Sequence, residues 1–136
     1  MNVLPGEKIT RFIRRNRDFS EPNIVRKEVF LPHRKKVDIS VFRISELTES
    51  EVWKIGWEHV QTAKSPVLAR ADLFASNVNE NKLEVIPDTQ SHKLHANITG
   101  FPVEREENKT EDRRLRQAIA RKLALSSKLE IPPQQS

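Results

Sequence analysis

The sequence predicts an α+β fold, a single domain with a mostly antiparallel sheet of about five strands and three helices, in the order β-β-β-α-α-β-β-α. Three observations support this prediction. Residues 37–44 and 94–98 alternate side chains with the period of two that is typical of strands. Thr48 and Glu51 form the Thr-x-x-Glu pattern of a capping box, which predicts the start of a helix. Near the end of the chain, apolar positions recur with the period of a helix.

Three predicted strands come first. Residues 8–14 alternate side chains, and residues 24–32 are rich in β-branched residues and end at a proline. Residues 37–44 carry apolar side chains on both faces, which indicates an inner strand that is covered on both sides. Residues 33–36, between the last two strands, are predicted to form a basic turn.

Two helices and two strands are predicted next. The first helix covers residues 48–63, and the second opens at Ser65-Pro66, with serine at the N-cap and proline at the first helical position. Residues 83–87 and 94–98 are the following strands, and Gly100-Phe101-Pro102 is predicted to end the latter. The buried stripe of the second helix is predicted to consist of Val67, Ala71, Phe74, Ala75 and Val78.

The last helix is predicted to begin at Thr110, because the acidic residues Glu111 and Asp112 suit the positive end of a helix dipole. The helices are expected on one face of the sheet. Residues 1–7 are predicted to be a flexible N-terminus, residues 8–128 the domain and residues 129–136 a flexible polar tail. The inward side chains of the last helix are predicted to be Leu115, Ala118, Ile119 and Leu123.

Composition narrows the function classes. The 136 residues contain no cysteine, which excludes disulfides, thiolate zinc sites and cysteine nucleophiles and fits a cytoplasmic location. No apolar run approaches the ~20 residues of a membrane span, and the N-terminus lacks the apolar core of a signal peptide. The net charge of +5 favours polyanionic partners such as nucleic acid, and it is also what solubility alone would require.

Several common sites are excluded by the residue counts. With 3 glycines the chain cannot form a glycine-rich phosphate loop, and there is no Gly-x-Ser-x-Gly nucleophile motif, so no cofactor is predicted. The chain has 6 phenylalanines, 2 tryptophans and no tyrosine, so it has few aromatic side chains on which nucleic-acid bases could stack. The signatures of helix-turn-helix, zinc-finger and RRM modules are missing from the sequence.

His92 and His95 form an H-x-x-H pattern, but residues three apart on a strand point to opposite faces. Without a further set of ligands, no metal site is predicted. His95, Asn97 and Thr99 share one face of their strand. This row is either an ordinary solvated face or the wall of a groove that offers a base, an amide and a hydroxyl.

Basic residues concentrate in two segments that a meander of the first three strands would bring together. Arginine can bind phosphate groups with two parallel hydrogen bonds. The basic residues of these segments are Arg11, Arg14, Arg15, Arg17, His33, Arg34, Lys35 and Lys36, and Arg43 lies on the third strand.

One resemblance covers roughly residues 8–131. It rests on the stretches ITRFIRRN, VFLP, DISVFRISEL, EVWKIG, ARADL and AIARKLA, and most specifically on HANITGFP at residues 95–102. These resemble a family of small uncharacterised bacterial proteins with an H-A-x-I-x-G-[FW]-P motif. The resemblance implies a bacterial, intracellular, single-domain protein and transfers no site residue.

Two functional hypotheses follow. The first is a non-enzymatic basic binding or accessory protein of a bacterial system that engages a protein or nucleic-acid partner and no membrane. The second is a small metal-independent enzyme acting on RNA or a nucleotide, with His95 as acid/base and Arg11, Arg14 or Arg43 as the electrostatic clamp. The enzyme needs His95 and the arginines in one concave pocket, whereas the binding protein needs a flat or convex basic surface or an exposed apolar patch. The binding residues are predicted to be Arg15, Arg17, His33, Arg34, Lys35, Lys36, Asn97 and Thr99.

Overall fold

The computed structural model describes residues 2–133 and contains a six-stranded sheet, a two-stranded hairpin and three α-helices. This confirms the α+β class, with more strands than the five expected. Met1 and residues 134–136, which belong to the ends predicted to be flexible, lie outside the described residues. The elements, numbered in chain order, are β1 Lys8–Ile13, β2 Phe19–Ser20, β3 Ile24–Val25, β4 Asp38–Arg43, α1 Glu49–Ile55, β5 Ala69–Phe74, α2 Ala75–Asn79, β6 Glu84–Pro87, β7 His95–Thr99, α3 Lys109–Ser126 and β8 Lys128–Glu130.

The large sheet has the strand order β6-β7-β4-β1-β5-β8, and all of its neighbouring strands are antiparallel. Thr10 of β1 pairs with Phe42 of β4 and with Asp72 of β5, and Phe42 pairs in turn with His95 of β7. Because paired residues point to the same face, these four side chains form one row across the sheet. The prediction that His95, Asn97 and Thr99 share a face is confirmed by this register.

The opposite face carries the main core, which α2, α3 and the 3-10 turn Lys27–Phe30 cover. The sheet residues in this core are aliphatic. Along each strand they alternate with the residues that point to the same face as His95, which we call the His95 face. The fully buried members from the sheet include Ile9, Val41, Ala69, Ala71, Ala96 and Ile98.

The His95 face is covered in its middle by α1, so the helices lie on both faces rather than on one as expected. Phe42 and Ile44 pack there against Val52 and Ile55 of α1. This agrees with the prediction that β4 is an inner strand, since its apolar side chains alternate between two cores. The capping box of Thr48 is also confirmed, because its Oγ1 accepts from the Glu51 N–H and the Glu51 carboxylate accepts from the Thr48 N–H.

The second predicted helix is wrong. A turn closed by a bridge between Thr62 and Ser65 leads into β5, and α2 has only five residues. The helical stripe that we expected also fits a strand, since Ala69, Ala71 and Leu73 alternate and are all buried. Pairing with β1 along the whole strand outweighs the local Ser-Pro signal. Phe74, expected to be buried, is 47% exposed.

Two further elements differ from prediction. Most of the segment 24–32 is not a strand, because after the short β3 the chain forms the 3-10 turn Lys27–Phe30, which buries Val29 and Phe30 against α3.

In α3 the buried stripe is displaced from the one predicted. Its members are Asp112, Arg116, Ala120, Leu123 and Ala124, whereas Leu115 is 51% exposed.

Two charged side chains can take buried positions of α3 because each has hydrogen-bond partners. Asp112 accepts from Arg105, and Arg116 donates to the carbonyl oxygens of Pro102, Pro32, His33 and Lys36. β8 follows α3 directly, at the start of the segment predicted to be a tail. Within residues 2–133, no helix combines the length and apolar character needed to cross a membrane.

Candidate functional site

A cavity of about 450 Å³ opens on the His95 face, between the ends of β1, β4 and β7 and the turn that follows α1. We call it the cationic cavity, because its walls contain two arginines and two histidines and no acidic residue. It is lined by Arg11, Phe12, Arg14, Ser40, Phe42, His59, Val60, Ser91 and His95. Three of the residues to which we assigned chemistry from sequence, Arg11, Arg14 and His95, therefore meet in one concavity.

Both arginines are held by backbone carbonyl groups. Ile9 and Thr10 of β1 pair with β4, and Arg11 is the next residue along the strand. Arg11 donates from Nη1 to the Ser40 carbonyl (2.8 Å) and from Nε to the Val29 carbonyl (2.6 Å). Arg14 donates from Nη1 to the Val60 carbonyl at 3.2 Å.

Within the part of the chain that the structure describes, the positive charges of these two arginines are not neutralised by a salt bridge. Among residues 2–133, no carboxylate lies within 4.0 Å of the guanidinium of Arg11 or of Arg14. Burial, and after it the neighbouring charge of Arg14, lowers the pKa of Arg11 to about 10, while Asp18 opposes the shift. Arg11 is still charged at neutral pH, and an anion bound between the two arginines would favour its charged form.

The ring of His95 is fixed by the segment before β7. Its Nδ1 lies 2.9 Å from the backbone oxygen of Asp88. Because a carbonyl oxygen only accepts, Nδ1 must carry a proton, and the lone pair of the neutral ring is on Nε2. Although the His95 side chain is only 11% exposed, it lines the cationic cavity. His95 therefore offers that cavity a group able to accept and return a proton.

Asn97 supports this arrangement from the next position on the same face. Its Nδ2 donates to Oδ2 of Asp88 at 3.2 Å, and the same oxygen lies 3.8 Å from Nδ1 of His95. Asn97 thus contacts the side chain of Asp88, the residue whose backbone oxygen holds the His95 ring, and is not among the residues that line the cationic cavity. Thr99 lies further along β7, where it pairs with Asp38 and Glu84.

His59 reaches the cavity because the chain after α1 forms a π-helical turn, Gly56–Val60. The turn is seated on Phe12, since a Cβ built on Gly56 would lie 2.7 Å from Cε1 of that ring. His59 is exposed in this turn, and nothing in the sequence marks a π-helical turn. Such turns are frequent at functional sites.

The third histidine of this region, His92, packs beside the cavity. Its ring centroid lies 4.6 Å from that of His59 and 5.6 Å from that of Phe42, and its Nδ1 accepts from the Leu94 N–H. Burial lowers the pKa of His92, and the nearby His59, Lys93 and His95 lower it further. In the part of the chain that the structure describes, no group of three or more histidine or acidic side chains could hold a metal ion.

The other predicted site residues lie elsewhere. Arg43 forms a two-point ion pair with Glu7, with nitrogen–oxygen distances of 2.9 and 2.8 Å, at the far end of β4. Arg34, Lys35 and Lys36 line a separate cavity that also contains Glu104 and Glu106.

Arg15 and His33 line a third cavity, which also includes Arg11 and Arg14. Arg17 lies in the exposed turn Asn16–Asp18 and lines none of these three cavities. The structure thus brings part of the two basic segments together and leaves Arg43 and residues 34–36 apart from His95.

Comparison of the chain with protein-family models, with curated proteins and with solved structures finds no match. The resemblance to a bacterial family is therefore still a prediction, and the cationic cavity is the feature from which a function can be inferred.

Proposed function

We propose that the protein is a small metal-independent enzyme that acts on a phosphate-containing substrate bound in the cationic cavity. The observation that carries the proposal is the presence of Arg11, Arg14 and His95 in the walls of one concavity of about 450 Å³. That volume lies within the usual range for small-molecule sites, which runs from roughly 300 to 1,000 Å³.

The two arginines would bind the phosphate. Each is anchored through one part of its guanidinium to backbone oxygens, so its orientation is fixed before the ligand arrives. With no carboxylate among residues 2–133 bonded to either, an anion need not displace an internal partner. Preorganised positive charge is what stabilises the extra negative charge of a phosphoryl-transfer transition state.

His95 would move the proton. Nε2 takes it from the attacking hydroxyl or water, the attacking oxygen bonds to phosphorus, and the bond from phosphorus to the leaving oxygen breaks. The proton then passes from His95 to the leaving oxygen, so the histidine ends the cycle neutral. The bond from Nδ1 to the Asp88 carbonyl holds the ring in the required tautomer throughout.

Non-catalytic binding is the second candidate. The net charge of +5 and the arginine pair support a basic accessory protein that holds a protein or nucleic-acid partner without changing it. The two candidates differ at His95, whose loss removes turnover in the first and leaves function intact in the second.

The test of catalysis compares wild type with His95→Asn, in which the asparagine Nδ2 can still donate to the Asp88 carbonyl. Cleavage of a generic RNA oligonucleotide and of a chromogenic phosphodiester is measured in the presence of EDTA. We expect turnover by wild type and a loss of roughly 10²–10⁴-fold in the variant. Failure of wild type to turn over either substrate would overturn the catalytic proposal and leave the binding one.

The test of binding compares Arg14→Gln with Arg17→Gln, which removes an arginine outside the cavities. Affinity for inorganic phosphate is measured by titration calorimetry. Only Arg14→Gln is expected to weaken binding, by roughly tenfold or more, because hydrogen bonds to charged groups contribute about 1.5–3 kcal/mol. Equal weakening by both variants would show a general charge effect and contradict a site in the cationic cavity.

A further inference from the structure

The cationic cavity has a neighbour with which it shares a wall. The adjoining cavity has a volume of about 320 Å³ and includes Arg11, Phe12 and Arg14 among its lining residues. The same two arginines therefore face two adjacent spaces, one containing His95 and the other His33. A ligand whose phosphate lies between the arginines can extend in both directions.

The walls of the adjoining cavity differ in character from those of the cationic cavity. They combine Val29 and Leu31, which pack with the main core, with the cationic Arg15 and with His33, whose ring can donate or accept a hydrogen bond. A bare phosphate would gain nothing from aliphatic walls. The ribose and base of a nucleotide have apolar faces and polar edges, and such a surface suits them.

Two carboxylates also line the adjoining cavity. Glu28 lies 3.8 Å from Lys27, and the negative charge of Asp18 acts on Arg11. Carboxylates disfavour a second phosphate at this place, whereas they can accept hydrogen bonds from the amino groups of a base. The charge distribution therefore separates the two cavities into one for phosphate and one for a nucleoside.

We propose that the substrate spans both cavities and contains at least two nucleotides joined by a phosphodiester. The linking phosphate lies at Arg11 and Arg14, with the bond to be broken facing His95, and one nucleoside occupies the adjoining cavity beside Arg15 and His33. This rests on the proposed function and adds the class of substrate, an oligonucleotide in place of a phosphomonoester.

The experiment measures the affinity of four ligands for His95→Asn, so that none is consumed. They are inorganic phosphate, a nucleoside monophosphate, a dinucleotide with one phosphodiester, and a single-stranded RNA of ten nucleotides. Each titration is repeated with Arg15→Gln, Arg14→Gln and Arg17→Gln added to that background.

The dinucleotide is expected to bind roughly tenfold more tightly than inorganic phosphate, in line with one or two added contacts to charged groups. Arg15→Gln should remove that difference and leave affinity for phosphate unchanged, and Arg17→Gln should change neither. The nucleoside monophosphate can extend to only one side of the arginines, so it should bind no more tightly than the dinucleotide. Equal affinities for dinucleotide and inorganic phosphate, tighter binding of the monophosphate, or an Arg15→Gln that weakens phosphate as much as dinucleotide, would overturn the proposal.

Failure of the underlying phosphate site has a different signature, because Arg14→Gln would then leave the affinity for inorganic phosphate unchanged. The titration with the ten-nucleotide RNA distinguishes two natural ligands that would both present a phosphodiester, a small dinucleotide and an RNA strand. An affinity equal to that of the dinucleotide identifies a small dinucleotide as the natural ligand. A further rise in affinity, with a steeper dependence on salt, identifies an RNA strand.

Discussion

Nδ1 of His95 lies 2.9 Å from the backbone oxygen of Asp88, seven residues earlier in the chain. This bond joins the loop after β6 to the start of β7 and decides which nitrogen of the ring is free. The same two residues are also joined in the reverse direction, because the Asp88 N–H donates to the His95 carbonyl. The orientation of the proposed acid/base group is therefore set by the backbone pairing of a loop.

The contribution of this bond to stability can be measured with two variants of His95. Both His95→Asn and His95→Ala lose the ring contact with Phe42, but only asparagine keeps a donor for the Asp88 carbonyl. We expect His95→Ala to be less stable than His95→Asn by about 1 kcal/mol in urea unfolding, the net value of one hydrogen bond. Equal free energies of unfolding would show that the bond does not hold the ring.

The environment of Arg11 predicts that lysine cannot replace it. The burial and the neighbouring charge that lower the pKa of Arg11 to about 10 would also lower the pKa of a lysine there, which starts from only ~10.4, towards neutral pH. Affinity for sulfate, an anion that does not titrate in this range, should therefore fall between pH 7 and pH 9 in Arg11→Lys and stay level in wild type. Titration calorimetry at both pH values measures this.

Arg14→Lys is the matched control for this experiment. Because Arg14 is exposed, a lysine there should keep its charge up to pH 9, and its affinity for sulfate should not depend on pH. A pH dependence of the same size in both variants would contradict the assignment of the effect to burial at residue 11.

Gly56 is expected to be irreplaceable because of the ring beneath it. In Gly56→Ala the new Cβ would lie 2.7 Å from Phe12, whose ring packs 5.9 Å from Phe42 and 6.4 Å from Trp53 and has little room to move. Overpacking of this kind costs about 1–3 kcal/mol and outweighs the 0.5–1 kcal/mol that alanine gains over glycine in a helix. Urea unfolding should show net destabilisation, and a stabilised variant would refute the contact.

The elements that could be predicted from sequence are those with a local signal that agrees with their tertiary surroundings. α1 has its capping box, and β4 and β7 have clean alternation. β5 could not be predicted, because Arg70 and Asp72 make its outer face look solvated. They are buried as an ion pair with a nitrogen–oxygen distance of 3.0 Å. From α1, Glu49 forms a second ion pair with Arg70, and the ring of Trp53 lies against the Arg70 guanidinium. Because Glu49 lies about twenty residues before Arg70, a local sequence pattern cannot reveal this partner.

The candidate site divides in the same way. Arg11 on β1, Arg14 just after that strand and His95 on β7 could be proposed from residue type, and they do share a cavity. His59 could not, since its place depends on a π-helical turn seated on Phe12. The separation of Arg43 was equally hidden, because its ion pair is with Glu7, which precedes β1.

His92 makes the stability of the protein depend on pH. Its pKa is lowered in the folded state, chiefly by burial, so the unfolded chain binds its proton more readily. The stabilising contribution is complete above the ordinary pKa of histidine, ~6.5, and is lost as the pH falls through the lower pKa of the folded state. Protonation of Nδ1 would also remove the acceptor for the Leu94 N–H.

His92→Asn removes this titration and can keep an acceptor for Leu94. The free energy of unfolding in urea, measured from pH 7.5 to pH 5, should fall less steeply in the variant than in wild type. The absolute stability of the variant is expected to be lower at pH 7.5, because its contacts with Phe42 and His59 are lost. Parallel curves for the two proteins would exclude His92 as the source of the pH dependence.

Arg116 joins the last helix to the basic turn at residues 33–36. Its guanidinium donates to the carbonyl oxygens of Pro102, Pro32, His33 and Lys36, and the residue is 2% exposed. Arg116→Ala leaves these acceptors without their donor, and we expect it to lower the free energy of unfolding by about 3–5 kcal/mol. Arg114→Ala, which removes an exposed pair with Glu111 from the same helix, should cost less than about 1 kcal/mol. Since Arg116 also fixes the backbone of His33, a stable Arg116→Lys variant in the His95→Asn background should bind dinucleotide more weakly than His95→Asn alone while binding inorganic phosphate equally. Equal costs for Arg116→Ala and Arg114→Ala would show that the buried arginine is not what holds the turn.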